Sequence, residues 1–221
     1  HIMRYYYSFE FNDFIICAGY RSWEIKQYFL NYEFRLNSLE IDHRENPNLP
    51  PFSFGLPSNQ ERWRVRVIDT GEDCMTGGRL ARAFDQVFVE EPFEDLALTY
   101  GDGLCDVDLG AEFAFHKTHG KIATVLGVNL QTRFGILDVN PQREVVGFLE
   151  KPASRQETVN GGFFFLNRKV RDYISPESHM IFERAPLEQL AQDRELRMFP
   201  HAGFWHPMDT LRDKSQLEEV W

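Results

Sequence analysis

The chain has 221 residues, with 34 acidic against 24 basic side chains and a formal net charge of −10. That length can bury the core of one α/β domain, and residues 1–221 read as a single domain. The acidic balance argues against a nucleic-acid partner, which needs a basic face, but a local Lys or Arg cluster can still hold a small anion. No apolar run reaches membrane-spanning length and no basic-then-apolar export segment stands out. Cys17, Cys74 and Cys105 are far apart and form neither a CxxC pair nor a disulfide framework. These features lead us to expect a cytoplasmic protein with no membrane partner.

In chain order, residues 1–9 have a helical pattern of aromatics and residues 14–17 that of a strand ending near Gly19. Ser22 is placed to cap a helix whose apolar positions Ile25, Tyr28, Phe29 and Tyr32 recur at helical spacing. Residues 45–64 carry four prolines, a glycine and three asparagines, which predicts a long loop. A strand over "WRVRVIDTG" leads to a helix with Thr76 as its cap and Leu80, Ala83, Phe84, Val87 and Phe88 on one face. A further strand, 96–99, runs into Gly101-Asp102-Gly103, after which Asp106 or Asp108 caps the helix holding Phe113.

Strands are expected at "KIATVLGVN", on either side of the Asn140-Pro141 turn and, briefly, at "NGGFFFLN". Pro186 can open a helix at 186–192. "ELRMFPHAGFWHPMDT" supplies a strand and a turn, and "LRDKSQLEEVW" a closing helix. Alternating strands and helices predict a doubly wound, mostly parallel sheet with its crevice at the C-terminal strand ends.

Asp102 falls at such an end. An Asp between glycines turns a chain for local reasons about as often as it binds something. As a ligand it suits a hard cation such as Mg²⁺, which takes carboxylate oxygens beside substrate phosphates. Asp209, between a strand end and a helix start, is the best second carboxylate, since capping accounts for Asp106 and Asp108. Glu150 and Lys151 before Pro152 could meet a hydroxyl-rich ligand and its phosphate, though a charged strand end is the commoner meaning. Asn160 with Gly161 and Gly162 could admit a sugar against bare backbone, or relax a crowded turn. Amides near Gly77 and Gly78 could read a base or a phosphate, yet "MTGGRL" lacks the GK[ST] of a Walker loop. His116 and His119 have no third ligand at metal spacing and read as structural. No GxSxG elbow supports serine catalysis.

These segments, in order "FNDFIICAGY", "VIDTG", "MTGGRL", "TYGDG", "HKTHGK", "RFGILDV", "EKP", "NGGFF" and "GFWHPMDTLRDK", resemble the sugar-nucleotidyltransferase family over nearly the whole chain. "TGGRL", "TYGDG" and "FWHPMDT" are similar to its cytidylyl branch. The resemblance implies a Rossmann-like three-layer nucleotidyltransferase fold and transfer of a cytidylyl group from CTP to glucose 1-phosphate. It also implies Mg²⁺ on Asp102 and Asp209, with Lys151 as a catalytic charge clamp, and Glu150 and Lys151 on the sugar phosphate. Asn160 and Gly161 would line the sugar pocket. Thr76, Gly77, Gly78 and Arg79 would face cytosine or ribose, and Tyr100 and Gly103 would flank the nucleotide. Such enzymes feed O-antigen synthesis and form homo-oligomers, a hexamer being the expected state. The family's first strand and its GGxGTRL-type loop have no counterpart in these residues. Another nucleotide or sugar preference, or a non-catalytic binding subunit, would suit the same motifs.

Overall fold

The alternation expected from the sequence is present in the structure, a computed structural model, which describes residues 1–41, 52–54, 61–89, 93–130, 136–149 and 157–220. In chain order the elements are α1 (Ile2–Tyr7), β1 (Asp13–Ala18), α2 (Ser22–Leu30), α3 (Tyr32–Leu36), β2 (Leu39–Ile41), β3 (Phe52–Phe54), β4 (Arg64–Asp69) and α4 (Thr76–Ala83). There follow β5 (Asp95–Thr99), β6 (Gly103–Cys105), α5 (Leu109–His119), β7 (Ala123–Leu130), β8 (Ile136–Val139), β9 (Val145–Leu149) and β10 (Glu157–Asn167). The chain continues through α6 (Ala185–Gln192), β11 (Leu196–His201), β12 (Trp205–Pro207) and α7 (Leu211–Val220). They group into two units, His1–Pro92 with Ile174–Pro186, and Phe93–Tyr173 with Leu187–Trp221.

In the first unit β1 and β4 run parallel, from Asp13 opposite Arg64 to Ala18 opposite Asp69. Trp63, just before β4, meets the rings of Tyr7, Phe14 and Tyr32 at centroid distances of 5.9, 5.7 and 5.9 Å. These edge and tilted contacts fix the entry to β4. On α4 the expected apolar face is buried through Leu80, Ala83 and Phe84. The helix then widens into a π turn, Phe84–Phe88, that stacks Phe84 and Phe88 edge-on at 5.0 Å.

Both predicted caps in this unit shift by one residue. Arg21, in the left-handed region at φ 56°, precedes α2, and Ser22 is its first helical residue. Likewise Met75 precedes α4. The Thr76 hydroxyl instead donates to Glu183 Oε2 at 2.7 Å and accepts from the Phe182 amide at 2.9 Å. A better partner across the fold has replaced the local bond. The predicted loop at 45–64 also gives way in part: Phe52–Phe54 pairs antiparallel with Leu39–Ile41, and Arg64 already belongs to β4. Residues 45–51 and 55–60 lie outside the described residues.

The second unit is built on a sheet of order β11-β7-β10-β5. β11 and β7 are parallel, while β10 runs antiparallel to both β7 and β5. The α/β class holds, and the sheet of this unit is mixed. β10 is longer than its aromatic run suggested, since it extends back to Glu157. Phe163, Phe164, Phe165 and Leu166 are each at most 2% exposed. Burial of consecutive residues means that both faces of this strand are covered.

Asp108 caps α5, accepting from the Ala111 amide at 2.9 Å, and Gly120 closes the helix at φ 61°. Asp106, the other candidate cap, turns instead to His201 at 3.0 Å. His116 is buried, 2.8 Å from Thr124 Oγ1 and 3.4 Å from Asp95. Asp95 also accepts from Lys117 at 2.6 Å and Asn167 at 2.9 Å, so the histidine is structural, as expected. The Asn140-Pro141 turn joins β8 to β9, with Asn140 Oδ1 accepting from the amides of Gln142 and Glu144.

Candidate functional site

In the first unit, the C-terminal ends of two parallel strands meet at Ala18 and Asp69. Thr70, fully buried, donates through both its amide and its hydroxyl to the Ala18 carbonyl, at 2.8 and 2.9 Å. Arg79 reaches back from α4 over this junction, giving one nitrogen to Thr70 Oγ1 at 3.1 Å and another to the Glu72 carbonyl at 3.4 Å. Its guanidinium lies so close over Gly19 that a Cβ there would come within 2.1 Å of Nη1. A cation is therefore held at a strand end, where open α/β sheets place anionic ligands. Burial pushes the nearby Cys17 thiol up to about 11, so it remains protonated at neutral pH.

Thr76, Gly77 and Gly78 lie on the first turn of α4. Their arrangement suits packing: the Gly77 and Gly78 amides both donate to the Met180 carbonyl, at 2.9 and 3.1 Å. A Cβ on Gly78 would stand 2.4 Å from the Glu177 carbonyl. The amides considered for base or phosphate readout are thus taken up by the chain itself.

In the second unit, β6 and β12 form an antiparallel ribbon with Pro207 opposite Gly103 and Trp205 opposite Cys105. Beyond Gly103 the Met208 amide donates to the Asp102 carbonyl at 2.7 Å. This bond sets Asp102 beside the segment that carries Asp209, and both aspartates are exposed. Neither carboxylate has a hydrogen-bond or ion-pair partner among the described residues, and a Cβ on Gly101 would meet open space. Two unpaired carboxylates with room around them fit a hard, partly hydrated cation such as Mg²⁺.

Next to this ribbon, β10 carries a bulge. Asn160 faces Gly127 and Phe164 faces Val125, so Gly161, Gly162 and Phe163 stand opposite Leu126 alone. The surplus lifts Gly161 and Gly162 off the ladder. Gly162 adopts φ 78°, and a Cβ on it would strike Tyr100 Cδ2 at 2.5 Å. Asn160 spans the bulge: its Oδ1 accepts from the Gly162 amide at 2.8 Å and its Nδ2 donates to the Tyr100 hydroxyl at 3.2 Å. The Tyr100 amide donates to the Gly162 carbonyl at 3.2 Å. Asp102, Tyr100, Gly103, Asn160 and Gly161 are therefore gathered with the Asp209 segment in one unit. Tyr100, expected beside the nucleotide, is joined to Asn160, expected beside the sugar. Glu150 and Lys151 lie outside the described residues.

Sequence reasoning passed over Trp205. Its indole Nε1 donates to the Gly161 carbonyl at 2.7 Å. The available signal was a tryptophan two residues before Pro207, in a segment read as strand and turn alone. His201 was missed too. Cys105, Asp106 and His201 bring possible metal donors within 4.8 Å of one another. His201 Nε2 lies 3.0 Å from Asp106 and 3.2 Å from the Phe204 carbonyl, so its ring hydrogen serves to fix this loop. Burial pushes the Cys105 thiol up to about 12, which keeps it a thiol.

The sequence profile of the nucleotidyl transferase family matches residues 58–211. A Salmonella typhimurium glucose-1-phosphate cytidylyltransferase is 43% identical over 100% of this chain and 82% of its own length. A Bacillus subtilis protein named a probable glucose-1-phosphate cytidylyltransferase is 36% identical over the same shares. Among solved structures, HddC from Yersinia pseudotuberculosis, in a complex with GMP-PN, superposes with a TM-score of 0.60. It is 17% identical and the match covers 99% of this chain and 83% of that one, so it bears on the fold alone.

Proposed function

This chain belongs to the nucleotidyl transferase family, and from that premise we propose that it transfers the cytidylyl group of CTP to α-D-glucose 1-phosphate, giving CDP-glucose and pyrophosphate. The observation that carries the reading is the meeting of Asp102 with the Asp209 segment beside the Asn160 bulge, in a chain 43% identical to a cytidylyltransferase along its whole length.

The reaction is a displacement at phosphorus. A phosphate oxygen of glucose 1-phosphate forms a bond to the α-phosphorus of CTP, and the bond from that phosphorus to the bridging oxygen breaks. Pyrophosphate leaves with the electron pair. The attacking oxygen is already ionised, so the chain need supply no general base. Its tasks are to align two anions and offset their repulsion. Asn160, exposed at the edge of the Gly161–Gly162 bulge, suits the hydroxyls of a sugar ring, and Tyr100, bonded to Asn160, belongs to the same wall. Arg79, at the strand ends of the first unit, suits the nucleotide phosphates or ribose. Glu150 and Lys151 are assigned to the sugar phosphate, Lys151 as the charge clamp. Asp102 and Asp209 would hold Mg²⁺, which when bound offsets negative charge that builds on the phosphates. A homo-oligomer, working in O-antigen synthesis, accompanies this reading.

Pyrophosphate release measured with CTP, glucose 1-phosphate and Mg²⁺ tests the proposal, with ATP, GTP and UTP run alongside. Release with CTP well above the other nucleotides is expected. A folded chain that releases none with CTP, or prefers another nucleotide, would overturn it.

A further inference from the structure

We propose that Trp205 is a positioning residue for the sugar 1-phosphate: by holding the Gly161 carbonyl it sets the bulge that presents Asn160. The inference rests on the cytidylyltransferase reading above and gives a role to a residue which that reading leaves unused.

A bulge lifts backbone groups off the ladder, and a half-buried carbonyl that loses its strand partner needs another. Here the Gly162 carbonyl is met by the Tyr100 amide and the Gly161 carbonyl by the Trp205 indole. The first bond is backbone to backbone, so any residue at 100 would make it. The second depends on one side chain. At 2.7 Å it is also the shorter of the two.

What the bulge carries is Asn160, whose oxygen grips the Gly162 amide at 2.8 Å. The side chain is thus oriented by the peptides that Trp205 and Tyr100 hold. A rotation of the Gly161 peptide would move the Gly162 amide, and Asn160 with it. Trp205 is in turn well fixed, because the His201–Asp106 contact anchors the loop leading to it and pairing with Cys105 anchors its backbone. The two bonds on the bulge come from the two segments that run on to Asp102 and Asp209. Sugar wall and acidic pair are therefore set by the same pair of chain segments.

A bland alternative is that Trp205 only fills space and satisfies a carbonyl. The two roles differ in kinetics. Loss of a mere packing contact would alter stability and leave the two substrates' KM values alone, or move them together. Loss of a positioning bond moves one. Trp205→Phe removes the indole N–H and keeps an aromatic ring. We expect its KM for glucose 1-phosphate to rise about tenfold, the scale of one lost hydrogen bond, with the KM for CTP unchanged within twofold. Trp205→His, which keeps a ring N–H, should recover part of the loss. In an Asn160→Ala background, Trp205→Phe should add less than twofold, because the group it positions is gone.

One readout needs no variant for its observation. The Trp205 indole N–H resonance of the unaltered protein, assigned by its loss in Trp205→Phe or Trp205→His, should shift when glucose 1-phosphate is added. An unchanged KM for the sugar phosphate in Trp205→Phe, equal increases for both substrates, a full tenfold effect without Asn160, or a resonance that ignores glucose 1-phosphate would each overturn the inference. Failure of the unaltered chain to release pyrophosphate from CTP would instead overturn the underlying reading, and the inference with it.

Discussion

Replacement of Gly162 by alanine tests the bulge most directly, because two separate costs are visible in the structure. The backbone sits at φ 78°, where an L side chain is disfavoured by about 1–2 kcal/mol. In addition, the new Cβ would stand 2.5 Å from Tyr100 Cδ2 and 3.0 Å from Cε2, where carbons ordinarily rest about 3.5–4.0 Å apart. The ring must give by roughly 1 Å, yet it is held edge-on to Phe164 at 5.9 Å and bonded to Asn160. Overpacking of this kind costs about 1–3 kcal/mol. Together they predict a loss of about 2–5 kcal/mol, a large share of the roughly 5–15 kcal/mol that holds a domain folded.

Gly101→Ala provides the reference, since its Cβ would meet nothing within 4 Å and its φ is not positive. It should cost less than about 0.5 kcal/mol. Equilibrium urea unfolding followed by circular dichroism reads both. Gly162→Ala should also raise the KM for glucose 1-phosphate, as Asn160 shifts with the bulge. Equal stability for Gly162→Ala and Gly101→Ala would refute the account of why glycine stands at position 162.

Three further outcomes are expected. Asp102→Asn should lower turnover at least about 100-fold while leaving the melting temperature within roughly a degree, because the carboxylate is exposed and has no partner among the described residues. A comparable fall in melting temperature would assign the residue to structure. Gly19→Ala should displace the flexible end of Arg79 rather than backbone, so it should cost under about 1 kcal/mol of stability yet raise the KM for CTP about tenfold; initial rates against CTP decide this. Glu112 is fully buried with neither oxygen hydrogen-bonded among the described residues, and burial pushes its carboxyl from 4.5 up to about 8. Between those values the unfolded chain has released the proton that the folded chain keeps, so stability falls with rising pH at up to about 1.4 kcal/mol per unit. The loss is complete once pH passes the folded value. Glu112→Gln should flatten this slope and be the more stable protein at pH 8 by about 2–4 kcal/mol, as read by urea midpoints between pH 5 and 9.

The strands were legible in the sequence wherever apolar runs ended at glycine, proline or aspartate, as at Val67-Ile68-Asp69 and Leu98-Thr99. Their direction was not, since strand polarity follows from how the connections cross, and nothing local to "NGGFFFLN" states that β10 runs against both neighbours. Caps misled for a different reason. Ser22 and Thr76 have the right chemistry, but the residue before each took the flanking conformation, and distant Glu183 and Phe182 claimed the Thr76 hydroxyl. Asp108 capped as expected because no such competitor faced it. The glycines of 161 and 162 could be seen as space for a ligand or a turn; in the structure both are buried, and they form a bulge packed against Leu126, Val128 and Tyr100. Asp209 was chosen as the partner of Asp102 from its place between a strand end and a helix start, and the family resemblance implied the same pair. No spacing rule joins residues so far apart; what the structure adds is the β6–β12 ribbon, which brings their segments together.

That ribbon has a consequence for how the protein is made. The Asp102 carbonyl and the Met208 amide are separated by more than a hundred residues, among the longest closures in the second unit. Between them the chain must lay down β7, insert β10 beside β5, and add β11 before β12 can arrive. Contacts of such sequence separation form late, because the loop entropy must be overcome before they are rewarded. As the chain leaves the ribosome, the sheet that carries Asn160 can assemble while Asp209 is still unmade. Under the proposed function, a growing chain can therefore be largely folded and still inert until β12 docks.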